Sequence, residues 1–256
     1  MSGIPVEISE LEVRYRAQEA NAVAALDRID LSVPAGEIVA ILGPSGCGKT
    51  TMLNVLAGFV PYAGRVAMGD RPPGRRRDIG YLFQRDTLLP WRSLASNVGF
   101  ALEVRGVDAR TRVARARAML ERLGLGGFVD AYPHEVSGGM AKRAALAQAL
   151  IHAPPLVLLD EPFGALDAFT RASVEQDLLQ LLAQNGATAL FVTHNLQEAI
   201  ALSDRVIVMS ARPGRVIGDH AVDLPRPRDV LEIQYTEAFA RLERAIWSQL
   251  RAQVVA

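Results

Sequence analysis

One short stretch restricts the fold of this chain more than any other. Residues 38–42 form the apolar run IVAIL, and residues 43–51 follow as GPSGCGKTT. The glycines and the Lys49-Thr50 pair fit the spacing G-x-x-x-x-G-K-[ST] at every fixed position. A buried strand that ends in a glycine-rich turn and opens a helix points backbone N–H groups at one spot. The stretch therefore predicts a site for phosphate groups.

The residue types in this stretch each have a reason to contact a nucleoside triphosphate. Glycine at 43, 46 and 48 lets the backbone approach the phosphates. Lys49 is expected to reach the β- and γ-phosphates, and the Thr50 hydroxyl to bind Mg²⁺. The alternative is a glycine-rich turn that contains lysine by chance. The predicted binding residues are Gly43, Pro44, Ser45, Gly46, Cys47, Gly48, Lys49, Thr50 and Thr51.

Composition limits the partners of the chain. With 256 residues, 50% of them hydrophobic, it can bury a large core. Lys plus Arg and Asp plus Glu both number 28, so no net charge attracts it to nucleic acid. Cys47 is the only cysteine, and the first residues lack a secretory pattern, which favours the cytoplasm. No apolar stretch approaches the roughly 20 residues that cross a bilayer, so we expect another chain to supply any membrane crossing.

Two acidic residues follow a second apolar run. Residues 156–159 read LVLL and lead into Asp160 and Glu161, which is typical of a buried parallel strand. Carboxylates at such a position are costly to bury unless they meet a cation, and Mg²⁺ beside the phosphate site would supply one. Asp160 is the expected metal partner, and Glu161 the base that orients water. The structural alternative is an acidic pair that only caps a helix.

Three other residues are candidates for the nucleotide site because of their positions in the chain. Gln84 follows the strand-like residues 79–83, where its amide oxygen could lie near Mg²⁺ or the attacking water. His194 follows the strand-like residues 189–193 and could contact a γ-phosphate oxygen, although a lone histidine is usually structural. Tyr15 could stack on a purine, but an ordinary strand tyrosine fits the spacing almost as well.

The middle of the chain has a helical character. Val113, Ala116, Leu120 and Leu123 recur at helical spacing and predict one apolar stripe. Residues 137–139, SGG, precede a helix-forming segment from Met140 to His152. This is a second glycine-preceded helix start, which suits contact with a phosphate but lacks a Lys-Thr pair to hold metal. Elsewhere strands alternate with helices, so we expect an α/β sheet with ligands at the strand carboxyl ends.

Taken together, these motifs resemble the nucleotide-binding subunits of ATP-binding-cassette (ABC) transporters over nearly the whole chain. Residues 43–51 match the phosphate loop and Gln84 the Q-loop. Residues 136–140, VSGGM, match the signature, and residues 156–161 match Walker B with its catalytic glutamate. Residues 164–167 resemble the D-loop, His194 the switch histidine, and Tyr15 the adenine-stacking aromatic. The mild departures are Val136, Met140, Gly164 and Asn195, where Leu, Gln, Ser and Asp are commonest.

The resemblance implies an α/β P-loop NTPase ABC-ATPase fold, with a RecA-like core, an antiparallel β subdomain and an α-helical signature subdomain. It implies one nucleotide-binding domain at 1–225, with the helical subdomain inserted at about 88–153, and a C-terminal helical extension at 226–256. Two copies are expected to form a head-to-tail homodimer, with each ATP between the phosphate loop of one copy and the signature of the other.

The resemblance also implies the cofactors, ATP and Mg²⁺, and the role of each site residue. The catalytic residues would be Glu161, His194 and Gln84, and the metal ligands Thr50, Gln84 and Asp160. The remaining nucleotide contacts would come from Tyr15, the phosphate loop, and the signature and D-loop residues Ser137, Gly138, Gly139, Met140 and Asp167.

Narrower features are similar to the nitrate, sulfonate and taurine branch of bacterial importers, namely residues 88–91, 160–171 and 211–216, with taurine importers closest around 58–62. The implied protein hydrolyses ATP to import a small anion. It would lie peripherally on the cytoplasmic face of the inner membrane, bound to permease subunits and served by a periplasmic binding protein. Leu88, Leu89 and Trp91 are expected to form an exposed apolar cluster for the permease.

Three other functions fit parts of the pattern. An ABC ATPase of another importer substrate class would share every motif. A soluble ABC ATPase of DNA maintenance would share the phosphate loop and signature but insert long coiled coils. A small-molecule phosphotransferase would share the phosphate loop but have no use for the signature helix.

Overall fold

Two β-sheets and seven α-helices make up the part of the chain that this computed structural model describes, which is residues 3–15, 23–74, 78–84, 87–164 and 166–254. The strands are β1 (Val6–Tyr15), β2 (Val23–Val33), β3 (Ile38–Leu42), β4 (Ala63–Met68), β5 (Ile79–Leu82), β6 (Leu156–Asp160), β7 (Thr188–Thr193), β8 (Arg205–Met209) and β9 (Val216–Ala221). The helices are α1 (Lys49–Leu56), α2 (Leu94–Glu103), α3 (Ala109–Arg122), α4 (Gly138–Leu150), α5 (Ala168–Asn185), α6 (Leu196–Leu202) and α7 (Glu237–Val254).

The larger sheet has the strand order β5-β6-β7-β3-β8-β9. Its neighbouring strands are parallel except for β8 and β9, which pair antiparallel. Strands β3, β6 and β7 are buried along their whole length, which explains their uninterrupted apolar sequences. Because these strands run in the same direction, their carboxyl ends meet at one edge, where ligands of open parallel sheets bind.

The two faces of this sheet pack against different layers. Val39 and Ile41 of β3 lie in one core with α1 and the antiparallel sheet, whose strand order is β2-β1-β4. Ile38 and Leu42 of the same strand lie in a second core with residues of α2 to α6. Because side chains alternate along a strand, one face of β3 packs toward the antiparallel sheet and the other toward the helices. The phosphate loop directly follows β3 and so begins between these two layers.

The predicted α/β architecture is confirmed, and helices α2, α3 and α4 lie between β5 and β6 as expected for the helical insertion. The C-terminal helix α7 buries Phe239 and Ile246 in the same core as α6. The limits proposed for the domain, the insertion and the extension stay predictions.

Two apolar residues are placed differently from the prediction. Leu88 is 9% exposed and belongs to the helical core, so it is not part of an exposed cluster. Val113 is 44% exposed, because burial along α3 begins only at Ala116. Both errors have one cause. A sequence pattern indicates which apolar residues lie on one face of a segment, but it does not show which of them other helices cover.

A buried acid in α5 predicts a pH-dependent stability. Glu175 is buried, and burial raises its pKa to about 7, with the negative charge of Glu198 adding to this and Arg171 opposing it. The unfolded pKa is about 4.3. The folded state therefore binds a proton more tightly, and stability is lost as pH rises from about 4.5 to 7.

We expect Glu175→Gln to raise the free energy of unfolding by about 1–3 kcal/mol at pH 8 and by much less at pH 4.5. Urea unfolding at both pH values measures this, with the exposed Glu232→Gln as control. An equal effect of Glu175→Gln at the two pH values would contradict the account.

Candidate nucleotide site

The loop between β3 and α1 has the backbone shape that phosphate binding requires. Gly46 and Gly48 have φ of 77° and 105°, a region in which side chains other than glycine are strained. A Cβ on Gly48 would also lie 2.7 Å from Leu26 Cδ2 and 2.8 Å from the Ala25 carbonyl oxygen. Only glycine fits there, so the backbone can turn tightly into the N-terminus of α1.

The loop holds Lys49 by its own carbonyl groups. The Nζ atom donates to the Gly43 oxygen at 2.8 Å and to the Pro44 oxygen at 3.0 Å, and the residue is only 6% exposed. This places a fixed positive charge beside the helix start. Cys47 is buried beneath the loop, and burial raises the pKa of its thiol, so its side chain packs as a neutral group.

Thr50 and Asp160 form an oxygen-rich pair at the end of β6. The Thr50 Oγ1 donates to Asp160 Oδ1 at 3.0 Å. Asp160 is 3% exposed, and burial raises the pKa of its carboxyl, although the Thr50 hydrogen bond and the Lys49 charge oppose this.

This donor set fits Mg²⁺, which prefers hard oxygen ligands and takes few of them from the protein. No group of three His, Cys, Asp or Glu side chains that could hold a metal alone occurs in the described ranges.

The side chain of Glu161, which follows one strand, contacts residues that follow two other strands. Its Oε2 accepts a hydrogen bond from Gln84 Nε2 at 3.1 Å, and its Oε1 lies 3.3 Å from His194 Nδ1. Gln84 follows β5, Glu161 follows β6 and His194 follows β7, which are neighbours in the sheet. Glu161 also has a positive φ of 44°, unusual for a residue with a side chain and frequent at functional sites.

A cavity of about 520 Å³ opens between these groups, within the usual range for ligand sites. Tyr15 lines it, and the Tyr15 hydroxyl contacts Thr51 Oγ1 at 3.2 Å. The cavity is lined by Tyr15, Val23, Ala25, Ser45, Gly46, Gly48, Lys49, Thr50, Thr51, Gln84, Glu161 and Arg212. Its lining thus combines an aromatic ring, apolar side chains, the phosphate loop and an acid.

The predicted signature and D-loop residues do not line this cavity. Ser137 caps α4 by accepting a hydrogen bond from the Met140 N–H at 3.3 Å, and Gly138 beside it has open space. Asp167 caps α5 in the same way, from Thr170 at 3.1 Å. Gly139 packs against Thr170, and Ala165 of the D-loop lies outside the described residues. Within one chain, the second helix start is therefore separate from the phosphate loop.

Sequence reasoning missed two cations. Arg212 lines the cavity and donates from Nε to the Gly46 carbonyl oxygen at 3.2 Å. Lys142 of α4 is buried and donates to the carbonyl oxygens of Phe83 and Gln84, at 3.3 and 3.4 Å. Arg212 lies in the segment 211–216 that resembles the importer branch, but the resemblance gave it no role in the site, and Lys142 has no motif. Each residue acts across a long sequence separation.

Asn195 shows why one departure from the family pattern is tolerated. Its Oδ1 accepts hydrogen bonds from the N–H groups of Gln197 and Glu198, at 2.9 and 3.3 Å, and so caps α6. Asn and Asp are both strong caps, so His194 remains at a properly formed helix start.

The family model described as ABC transporter matches residues 26–164, more than half of the chain. The chain belongs to the ABC transporter family. Its ATP-binding and ATP-hydrolysing function follows from that membership, and the phosphate loop, Thr50-Asp160 pair and Glu161 described above are the parts that such a function needs.

Relatives cover most of this ABC protein. It is 40% identical to a taurine import ATP-binding protein of Rhizobium johnstonii, over 94% of each chain. It is 45% identical to an aliphatic sulfonates import ATP-binding protein of Xanthomonas axonopodis, over 86% of this chain and 89% of the relative. An uncharacterized ABC transporter ATP-binding protein of Methanocaldococcus jannaschii is 46% identical, over 85% of this chain and 82% of the relative.

A solved structure agrees with the fold. A dimeric ATP-binding cassette in a post-hydrolysis state, bound to ADP and Pi, superposes with a TM-score of 0.77 at 30% identity and covers 86% of this chain and 100% of that one. The readings as a DNA-maintenance ATPase or a small-molecule phosphotransferase have no support from these relatives.

Proposed function

We propose that this protein is the ATP-hydrolysing subunit of an importer for a small anion of the taurine, alkanesulfonate or nitrate type. The observation that carries the ATPase part is that Glu161, Lys49 and Thr50 line one cavity, with Asp160 bonded to Thr50 behind it. The names of the relatives support the solute class. ABC importers of other substrate classes remain the alternative.

Different residues in and next to the cavity would bind the adenine, the phosphates and Mg²⁺. Tyr15 offers a ring for the adenine, and the backbone N–H groups of residues 46–50 face the phosphates. Lys49 neutralises phosphate charge. Thr50 and Asp160 would hold Mg²⁺, with Gln84 as a further oxygen ligand, and Mg²⁺ neutralises charge on the phosphate oxygens when it is bound.

Glu161 is the group that takes a proton from the attacking water. Its carboxylate stands between Gln84 and His194, so both side chains fix its direction. A water held by Glu161 would attack the γ-phosphorus as the bond to the β-phosphate oxygen breaks, leaving ADP and inorganic phosphate. We propose that His194, whose Nδ1 lies 3.3 Å from Glu161 Oε1, donates a hydrogen bond to the γ-phosphate when ATP fills the site.

The site is proposed to be completed by a second copy. Ser137 and Gly138 are exposed at a helix start, and a Cβ on Gly138 would meet open space, so an anion from outside could reach this start. A twofold pair in which each copy places this start on the ATP of the other would use both anion sites. The dimeric state of the similar cassette supports this arrangement.

A lateral groove, lined by Tyr81, Phe83, Leu89, Phe100, Gln148 and His152, is the proposed seat for a permease helix. Its cavity is about 310 Å³, and Trp91, which follows the groove residue Leu89 by two positions, is 72% exposed. Phe83 borders the groove while Gln84, the next residue, borders the ATP cavity. A helix that moves in the groove would therefore shift Gln84 against Glu161.

Attachment to a permease would place the protein peripherally on the cytoplasmic face of the membrane. Within the described ranges, no helix has the length and apolarity to cross a bilayer. A periplasmic binding protein would deliver the solute to the permease and would not contact this chain.

We expect Trp91→Asp to abolish association with the permease while ATP binding stays unchanged, because a charge replaces an exposed apolar contact. Leu89→Asp is a second variant, but Leu89 is half-buried, so its folding must be checked by circular dichroism. Pull-down in detergent measures association. Tyr235→Asp, which changes another exposed aromatic, is the control, and a complex retained by Trp91→Asp would count against the groove.

Reconstitution tests the whole proposal. The protein is assembled in vesicles with the permease and binding protein encoded beside it, and ATP hydrolysis is followed with taurine, an alkanesulfonate, nitrate or an amino acid. Stimulation by one of the first three supports the proposed class. Stimulation by the amino acid alone would move the protein to another importer class.

A further inference from the structure

The hairpin that joins β8 to β9 carries an arginine into the nucleotide site. Arg212 lies on this connection and borders the same cavity as Lys49, Thr50 and Glu161. A Cβ placed on Gly46 would lie 3.6 Å from Arg212 Nη2, so the guanidinium lies against the turn of the phosphate loop.

Two backbone hydrogen bonds join the β8–β9 hairpin to strand β2. The Gly214 N–H donates to the Ala25 carbonyl oxygen at 3.0 Å, and the Asp27 N–H donates to the Gly214 oxygen at 3.0 Å. Ser210 and Pro213 are also bonded within the hairpin, at 3.1 Å. The backbone of the hairpin is therefore held in place, and the bond from Arg212 Nε to the Gly46 oxygen restrains the side chain before a ligand binds.

The charge of Arg212 has no acidic partner among the described residues, whereas neighbouring arginines do. Arg215 of the same hairpin donates from Nε to Asp27 at 2.9 Å, and Arg205 pairs with Glu37 at 3.0 Å. Arg212 donates one N–H, that of Nε, to the Gly46 carbonyl oxygen. The guanidinium has four further N–H donors. A cation without a counter-charge at the edge of a phosphate site is suited to bind an anion.

We infer that Arg212 is a nucleotide-binding residue that contacts the phosphate chain of ATP beside the turn of the phosphate loop at Gly46. The inference rests on the proposed ATPase function and adds a residue to its binding site. Lys49 and the helix start contact the phosphates from within the loop, and Arg212 adds charge from outside it. Its planar fork can bind two phosphate oxygens in a fixed geometry, whereas a lysine acts as a point charge.

The test compares Arg212→Gln with Arg212→Lys and with Arg215→Gln as the matched control. ATP affinity is measured by titration calorimetry on the monomer, with its mass checked by light scattering. We expect about tenfold weaker ATP binding for Arg212→Gln, as for one lost charge-assisted hydrogen bond. Arg212→Lys should retain part of the affinity, and Arg215→Gln should bind as the parent does.

A second measurement does not depend on a variant. Phenylglyoxal modifies exposed arginines, and ATP should protect Arg212 but not Arg215 in the parent protein. Parent-like affinity of Arg212→Gln, equal losses for the Gln and Lys variants, or a lack of protection would overturn the inference. A parent protein that binds no ATP would instead refute the proposed function, and Lys49→Ala, which should lose binding in either case, separates the two failures.

Discussion

Glu161→Gln should lower ATP hydrolysis by roughly 10²-fold to 10⁴-fold, the usual range for loss of a general base. The amide keeps the shape of the side chain and a carbonyl oxygen for hydrogen bonding, but it does not accept the proton of the attacking water. ATP binding should persist, because the loop contacts of Lys49 and the Thr50-Asp160 pair are unchanged. Phosphate release under saturating ATP measures the rate.

The control for this change is Glu232→Gln, which removes an exposed acid that does not line the cavity. It should hydrolyse ATP at the parent rate. If Glu161→Gln also hydrolysed at the parent rate, Glu161 would lose the role assigned to it, and the geometry around Gln84 and His194 would need another explanation.

Ser137→Arg should abolish hydrolysis and leave ATP binding to the isolated subunit nearly intact. In the proposed pair, Ser137 of one copy faces the ATP of the other, and a bulky side chain there would block the contact between the signature and that ATP. The change also removes the cap of α4, which costs about 1 kcal/mol. Ser137→Ala loses the same cap without adding bulk and is therefore the control. Binding and phosphate release are measured together.

Mixing two inactive variants tests the shared site more strictly. Lys49→Ala should not bind ATP but keeps an intact signature, and Ser137→Arg has the reverse defect. Their mixed pair contains one complete site, so an equimolar mixture should recover up to roughly a quarter of the parent rate if a twofold pair forms. A site contained in one chain would show no recovery, and Ser137→Arg would then lose binding as Lys49→Ala does.

The parts of the site that sequence predicted are those made by neighbours in the chain. The spacing of Gly43, Gly48 and Lys49 fixes a loop because the required φ values and the helix start follow within a few residues. Asp160 and Glu161 were found because an apolar run ends at them. In both cases a local pattern has a local structural cause.

Predicting that Gln84, Glu161 and His194 lie together requires more than a local sequence pattern. Each residue ends a strand, and the parallel direction of β5, β6 and β7 brings the three ends together. The sequence predicts strands that alternate with helices, and therefore one ligand edge. It does not give the strand order, which is set by packing between segments far apart in the chain.

Arg212 and Lys142 lie beyond what the sequence shows. Arg212 reaches Gly46 across 166 positions, and Lys142 reaches Gln84 across 58. Residues 211–216 resemble a feature of the importer branch, but that pattern does not show that Arg212 contacts the phosphate loop, and Lys142 lies in no pattern of this kind. The burial of Leu88 is similar, since it depends on the helices that cover it and not on its neighbours in the chain.

The most direct test of the central claim, that ATP closes two copies over shared sites, is the mass of Glu161→Gln in solution. Light scattering is measured with ATP and Mg²⁺ and then with ADP and Mg²⁺. Since closure would be driven by ATP and ended by hydrolysis, the variant should have twice the chain mass with ATP and the single mass with ADP. A single mass in both nucleotides, also in the presence of the permease's cytoplasmic segment, would contradict the two-copy account.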